Sequence, residues 1–208
     1  MKSKTPGKIL AGLKELYPDA KSELNYANHY QLVIAVALSA QCTDKKVNET
    51  TPALFKKYPD FRALAKAQPA EIEPILRQVN YYKTKSANII AAAKFVDQNF
   101  ANKLPLNYDD LIKLPGVGRK TANVVLSELD IKPAIAVDTH VFRLSHRLGL
   151  STGKNVLEVE KDLQKLFDPQ DWRHLHHGLI LHGRRVCAAR KPLCSECSLA
   201  KLCPKIEV

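Results

Sequence analysis

The 208-residue sequence predicts an all-helical protein. Apolar residues recur at three- and four-residue spacing through most of the chain, the period that lines one face of an α-helix, while the period-two alternation of strands is scarce. The breaks between these stretches carry helix punctuation: Asn, Asp or Thr before the first apolar turn, Pro or Gly after the last.

Ile9, Leu13, Leu16 and Tyr17 mark a first amphipathic helix, ended by Pro18-Asp19. Residues 30–41 read as a strongly apolar helix, whose run Leu32 to Leu38 is expected to be buried. Thr43-Asp44 looks like the cap of the next, which carries Val47, Leu54 and Phe55. Pro69 opens a helix with Ile72, Ile75, Leu76 and Val79. The turn Asn80-Tyr81-Tyr82-Lys83 leads into one with Ile89, Ile90, Ala93 and Val96. Asn107 caps a short helix before Pro115, and Val124, Val125, Leu126 and Leu129 define another. Residues 130–137 are expected to be extended, followed by helices near 139–148, 156–167 and 171–185. No repeat, low-complexity tract or obvious linker interrupts this order.

Composition narrows the partners. A formal net charge of +11 points first to a polyanion. No apolar run approaches the roughly 18 residues of a membrane span. Met1 to Pro6 is basic but lacks the apolar core of a signal peptide, and reads as a loose basic arm on a cytosolic protein.

The most informative segment is Leu114-Pro115-Gly116-Val117-Gly118-Arg119-Lys120. Two glycines one residue apart make a tight turn into a helix N-terminus, where backbone N–H groups are free and an anion can come close. Lys120 falls in the first helical turn, where an ammonium opposes the macrodipole at a cost of about 0.3–1 kcal/mol. A neutral amine held there would be a nucleophile able to form a Schiff base. It must first lose its proton, through burial, the neighbouring Arg119 or the helix terminus. Asp138, before Thr139, has the position of an N-cap and also the chemistry to move protons and counter positive charge; one carboxylate oxygen for each role makes the two compatible.

Cys187, Cys194, Cys197 and Cys203 form a metal signature. Disulfides fit poorly without a secretion signal. Taken alone, the spacing matches neither paired zinc knuckles nor ferredoxin runs, so zinc and an iron–sulfur cluster both stay open. Between the first two cysteines lie Arg190 and Lys191, with Arg184 and Arg185 just before them: a phosphate-facing loop or a solvated one. Cys42 reads as a small core residue. Gln41 and Tyr81 read, without further context, as a helix cap and a surface aromatic. His174, His176 and His177 make no metal site.

These segments, with Ser39-Ala40-Gln41-Cys42-Thr43-Asp44, Tyr82 with Lys85, Val137-Asp138-Thr139-His140 and Leu179-Ile180-Leu181-His182-Gly183-Arg184, resemble bacterial endonuclease III, the helix-hairpin-helix glycosylases and abasic-site lyases of base excision repair. The likeness runs over almost the whole chain. It implies two lobes: a central helical barrel over 22–132 containing the hairpin (about 107–128), and a cluster domain from 1–21 plus 133–208, with DNA in the cleft between them. It implies Lys120 as nucleophile and Asp138 as its carboxylate partner. DNA contacts would come from Gln41, Tyr81, Gly116, Val117, Gly118, Arg119, Arg184, Arg190 and Lys191. Gln41 and Tyr81 would enter the duplex from opposite sides, and Asp44 and His140 would line the damaged-base pocket. The four cysteines would hold a 4Fe–4S cluster.

The expected activity is excision of oxidised pyrimidines from duplex DNA with cleavage 3′ to the site, by a monomer in the bacterial cytoplasm at the nucleoid. Two alternatives are a monofunctional mismatch glycosylase and a non-catalytic hairpin protein. Lys120, and a chain that ends at Val208 without a further recognition module, weigh against the first; the second has no use for Lys120 with Asp138. Two departures from the family pattern stand out. Asn80 replaces a common glycine and is expected to take its left-handed backbone. Gly178 stands where tryptophan is frequent, which puts local packing in doubt.

Overall fold

The computed structural model describes residues 5–206, and among them it contains eleven α-helices and no strand. The basic arm Met1 to Lys4 lies outside the described residues. The chain divides into two compact units, Glu23–Ile131 and Met1–Ser22 with Lys132–Val208.

The continuous unit is built around α2 (His29–Leu38), whose Leu32, Val33, Ile34, Ala35, Val36 and Leu38 are all buried. Around it lie α3 (Asp44–Lys57), α4 (Phe61–Ala65), α5 (Pro69–Leu76), α6 (Tyr82–Phe100), α7 (Tyr108–Leu111) and α8 (Arg119–Glu128). Local chemistry sets most starts. Asn28, Thr43, Asp60 and Asn107 each accept a hydrogen bond from a first-turn amide through their side chains. At α5, Pro69 occupies the first turn, where its missing N–H costs nothing. The α6 face bearing Ile89, Ile90, Ala93 and Val96 is buried, and α6 packs along α4 and α5.

Helix α2 stops at Leu38, three residues short of the expected end. The Ser39 hydroxyl turns back to the Val36 carbonyl (2.9 Å), and Gln41 adopts a left-handed backbone with φ 53°. The apolar pattern carries no trace of either event.

The discontinuous unit holds α1 (Thr5–Leu16), α9 (Thr139–Arg147), α10 (Val156–Leu166) and α11 (Trp172–Arg185). Helix α11 packs against both α1 and α9. Gly178 resolves the packing doubt: it is buried on α11, and a Cβ there would stand 3.4 Å from Leu13 Cβ of α1. Close approach of the helices fills the volume that an indole would need.

Candidate active site and cysteine recess

Between α7 and α8 the chain turns through Gly116, in the left-handed region at φ 80°. A Cβ on Gly116 would lie 3.0 Å from Asn88 Cβ on α6, so both conformation and space require glycine. Val117 anchors the turn: its side chain is buried and its N–H donates to the Leu114 carbonyl (2.9 Å). Its side chain therefore belongs to the core, and only its backbone faces the turn. Gly118 is the N-cap of α8 and supplies no side-chain hydrogen bond, and a Cβ there would meet nothing within 4 Å. The first turn of α8 thus starts with uncapped amides beside open space, flanked by exposed Arg119 and Lys120. Burial, one of the influences expected to act on Lys120, is not supplied here.

Gln41 and Tyr81 come together. They border one open recess of about 550 Å³, with Gly116 on its rim. Tyr81 is 66% exposed, unusual for so large an aromatic, and its backbone is left-handed at φ 58°. For residues with a Cβ this region costs about 1–2 kcal/mol, so both turns need outside support. Asn80 does not take the left-handed backbone expected of it; Tyr81 does, and the Asn80 amide instead donates to the Gln41 carbonyl (2.6 Å). Lys85 is buried, and its ammonium donates to the carbonyls of Leu38 (2.8 Å) and Ala40 (2.6 Å). Burial pushes the Lys85 amine below the ordinary lysine value, and the nearby Cys42 opposes this. Carbonyls at a helix C-terminus favour the charged form, which suits a clamp better than a nucleophile. Lys85 was assigned no role by sequence reasoning. Its place one turn before Ile89 on the apolar face of α6 was the available signal.

Asp138 is the N-cap of α9, half-buried, with Oδ1 accepting from the Val141 N–H (2.7 Å). His140 follows in the first turn. Its Nδ1 lies 3.2 Å from the Arg143 guanidinium, and a Cβ at Gly183 would crowd that nitrogen at 2.9 Å, so glycine makes the room. Burial lowers the His140 pKa, the Asp138 carboxylate raises it, and Arg143 and Arg184 lower it further. Asp44 sits half-buried in the first turn of α3. Asp44 and Lys120 belong to the continuous unit, whereas His140 and Asp138 belong to the other.

The four cysteines line a single narrow recess, together with Leu148, His182 and Val186. Arginine and histidine surround the sulfurs. Arg147 donates to Cys187 Sγ (3.4 Å), His182 Nε2 lies 3.4 Å from Cys197 Sγ, and the Lys205 N–H donates to Cys203 Sγ (3.3 Å). Arg143 and Arg147 also donate to the carbonyls of Cys187 and Ala188. Among the described residues, no three His, Cys, Asp or Glu side chains group closely enough to hold a metal ion. His182, Arg143 and Arg147 escaped sequence reasoning, although His182 continues the buried spacing of Leu175 and Leu179. Between Cys187 and Cys194, Arg190 and Lys191 are exposed, with Lys191 left-handed at φ 52°. Arg184 is exposed at the end of α11, and Arg185 stacks over the Tyr17 ring at 5.6 Å. No helix among the described residues is long and apolar enough to cross a membrane.

Comparison with known proteins is consistent with this arrangement. Residues 34–169 match the HhH-GPD superfamily base excision DNA repair protein pattern. The chain is 48% identical to endonuclease III of Synechocystis over 96% of its length and 91% of the relative's. It is 45% identical to that of Bacillus subtilis, over 91% and 87%. It superposes on a trapped covalent intermediate of endonuclease III with DNA at a TM-score of 0.91 and 42% identity, covering 99% of this chain and 97% of the other. On pattern, identity and fold together, the chain belongs to the endonuclease III family of helix-hairpin-helix base excision DNA repair proteins.

Proposed function

We propose that the chain is a bifunctional DNA glycosylase and abasic-site lyase that removes oxidised pyrimidines from duplex DNA through a Schiff base on Lys120. The observation that carries this reading is an exposed amine in the first turn of α8, two residues past an uncapped glycine turn. The related endonuclease III trapped covalently on DNA supports a nucleophile of this kind. The neutral Lys120 amine attacks C1′, the bond to the base breaks, and the base leaves with its electron pair and takes up a proton. Opening of the sugar ring leaves an iminium. Loss of a C2′ proton then expels the 3′ phosphate oxygen, and water hydrolyses the imine to restore the lysine. Asp138 caps α9 through Oδ1 and turns its negative charge to the sugar as positive charge develops there.

Gln41 and Tyr81 fill the gap left by the extruded nucleotide. Gly116, Gly118 and the backbone of Val117 bind phosphate at the α8 N-terminus, and Arg119, Arg184, Arg190 and Lys191 add cations. Asp44 and His140 contact the damaged base. Acting on chromosomal DNA, the protein works in the cytoplasm at the nucleoid.

A 4Fe–4S cluster fits the cysteine recess better than zinc. The four cysteines share one lining, as the four thiolates of such a cluster must, and the related endonuclease III family supports that group over zinc. Cys187, Cys194, Cys197 and Cys203 would hold the cluster, which would crosslink the segment that carries Arg190 and Lys191.

Borohydride trapping tests the mechanism. Wild-type protein should be captured covalently on damaged or abasic duplex, and Lys120→Gln should abolish the adduct while leaving damaged-DNA binding largely intact. Adduct formation by Lys120→Gln at the wild-type rate would assign the nucleophile to another amine.

A further inference from the structure

Two strained, exposed turns are tied together through a single short segment. At and just past the end of α2 the backbone carbonyls have no intrahelical donor. Those of Leu38 and Ala40 are taken by the Lys85 ammonium, and that of Gln41 by the Asn80 amide. The Lys85 backbone N–H also donates to the Tyr81 carbonyl (3.0 Å), so one residue holds the Tyr81 turn through its backbone and the Gln41 turn through its side chain. Asn80 and Lys85 flank Tyr81 in sequence, whereas Gln41 lies far away in the chain. Left-handed backbone at non-glycine residues persists only where neighbouring structure over-determines it, and these hydrogen bonds do so.

We propose that Asn80 and Lys85 are positioning residues that clamp the Gln41 and Tyr81 turns into one rigid two-pronged wedge, so that both side chains enter the duplex together. This rests on the reading that Gln41 and Tyr81 open the duplex. Without the clamp each turn relaxes independently, and ordering it again is charged to the step that extrudes the damaged nucleotide. The chemistry at C1′ is untouched. The clamp therefore affects only substrates that still have to be opened.

The test uses three duplexes: a lesion in a fully paired duplex, the same lesion facing a gap in the other strand, and a preformed abasic site facing that gap. Asn80→Ala removes one exposed donor, and Lys85→Met removes the buried ammonium while keeping its length. Each should slow single-turnover excision from the paired duplex on the order of tenfold, with rates on the two pre-opened substrates within about threefold of wild type. A 2-aminopurine opposite the lesion should show slower unstacking by the same factor. Lys85→Arg should recover much of the paired-duplex rate. Equal losses on all three duplexes, or no loss in either variant, would overturn the clamp. If Lys85→Met does not fold, Asn80→Ala decides the matter alone. Tyr81→Gly separates this proposal from the one beneath it. Loss of discrimination there refutes the wedge itself, whereas discrimination by Tyr81→Gly without any by Asn80→Ala refutes only the clamp.

Discussion

Asp138 is both a cap and a proposed catalytic group, and the structure separates the two roles by magnitude. The cap is a single hydrogen bond from the Val141 N–H to Oδ1 at 2.7 Å. Asp138→Asn keeps an acceptor in that place and loses the charge, which near a half-exposed helix N-terminus is worth about 0.3–1 kcal/mol. Asp138→Ala loses the acceptor as well, a cost of about 0.5–2 kcal/mol. In a protein of this size each kcal/mol lowers the melting temperature by roughly 2–4 °C. From a total stability of about 5–15 kcal/mol, either variant remains more than about 99% folded at 25 °C. Unfolding therefore cannot account for a large loss of activity. Losing the carboxylate from proton transfer and charge stabilisation should cost about 10²–10⁴ in rate. The assay pairs a thermal melt with single-turnover base excision at saturating enzyme. The expected result is a near-native melt for Asp138→Asn with excision at least a hundredfold slower, and a similar rate for Asp138→Ala with a lower melt. Should Asp138→Asn excise within about tenfold of wild type while Asp138→Ala falls only as far as its stability does, Asp138 is a cap and nothing more.

Elemental analysis of freshly purified protein should give about four irons per chain; Cys42→Ala should leave that value unchanged, and Cys197→Ser should lower it. Stoichiometric zinc without iron in anaerobically handled protein would be the contrary result. Affinity for undamaged duplex should fall steeply with salt, and Lys191→Ala should reduce the log–log slope by about 0.9 while weakening all sequences alike. His140 is depressed below the ordinary imidazole value by burial, so the unfolded chain binds its proton more readily. Its contribution to stability is present above about pH 6.5 and is lost as the pH falls toward the folded value. Denaturant melts from pH 7.5 down to 5 should show this loss, and His140→Gln should flatten it; an unchanged slope in the variant would place the effect elsewhere.

Most helices were legible because their boundaries are set locally. Thr43 and Asn107 cap the helices they precede through bonds to amides three residues away; α4 went unread although Asp60 caps it in the same way, because five residues are too few to show an apolar period. The turn that follows α2 was not legible, since the carbonyls of Leu38, Ala40 and Gln41 are held by Lys85 and Asn80, donors from a distant part of the chain. The same non-local bond explains why Tyr81 rather than Asn80 carries the left-handed backbone: the Asn80 side chain is committed to Gln41. The cysteine recess could be anticipated from four residues in one segment. Its arginine and histidine surroundings come from α9 and α11, and tertiary packing alone brings them there.

Helix α1 packs on α11, with Leu13 against Gly178, although almost the whole chain separates them in sequence. During translation α1 leaves the ribosome well before α11. At ~5–20 residues per second the interval is on the order of ten to thirty seconds. Throughout it Ile9, Leu10 and Leu13 lack the α11 face they pack on. The stretch from Glu23 to Ile131 is a compact unit of its own and does not wait for α11. Cys194, Cys197 and Cys203 emerge after α11, so any metal they take is delivered to a nascent protein whose other half has already had time to fold.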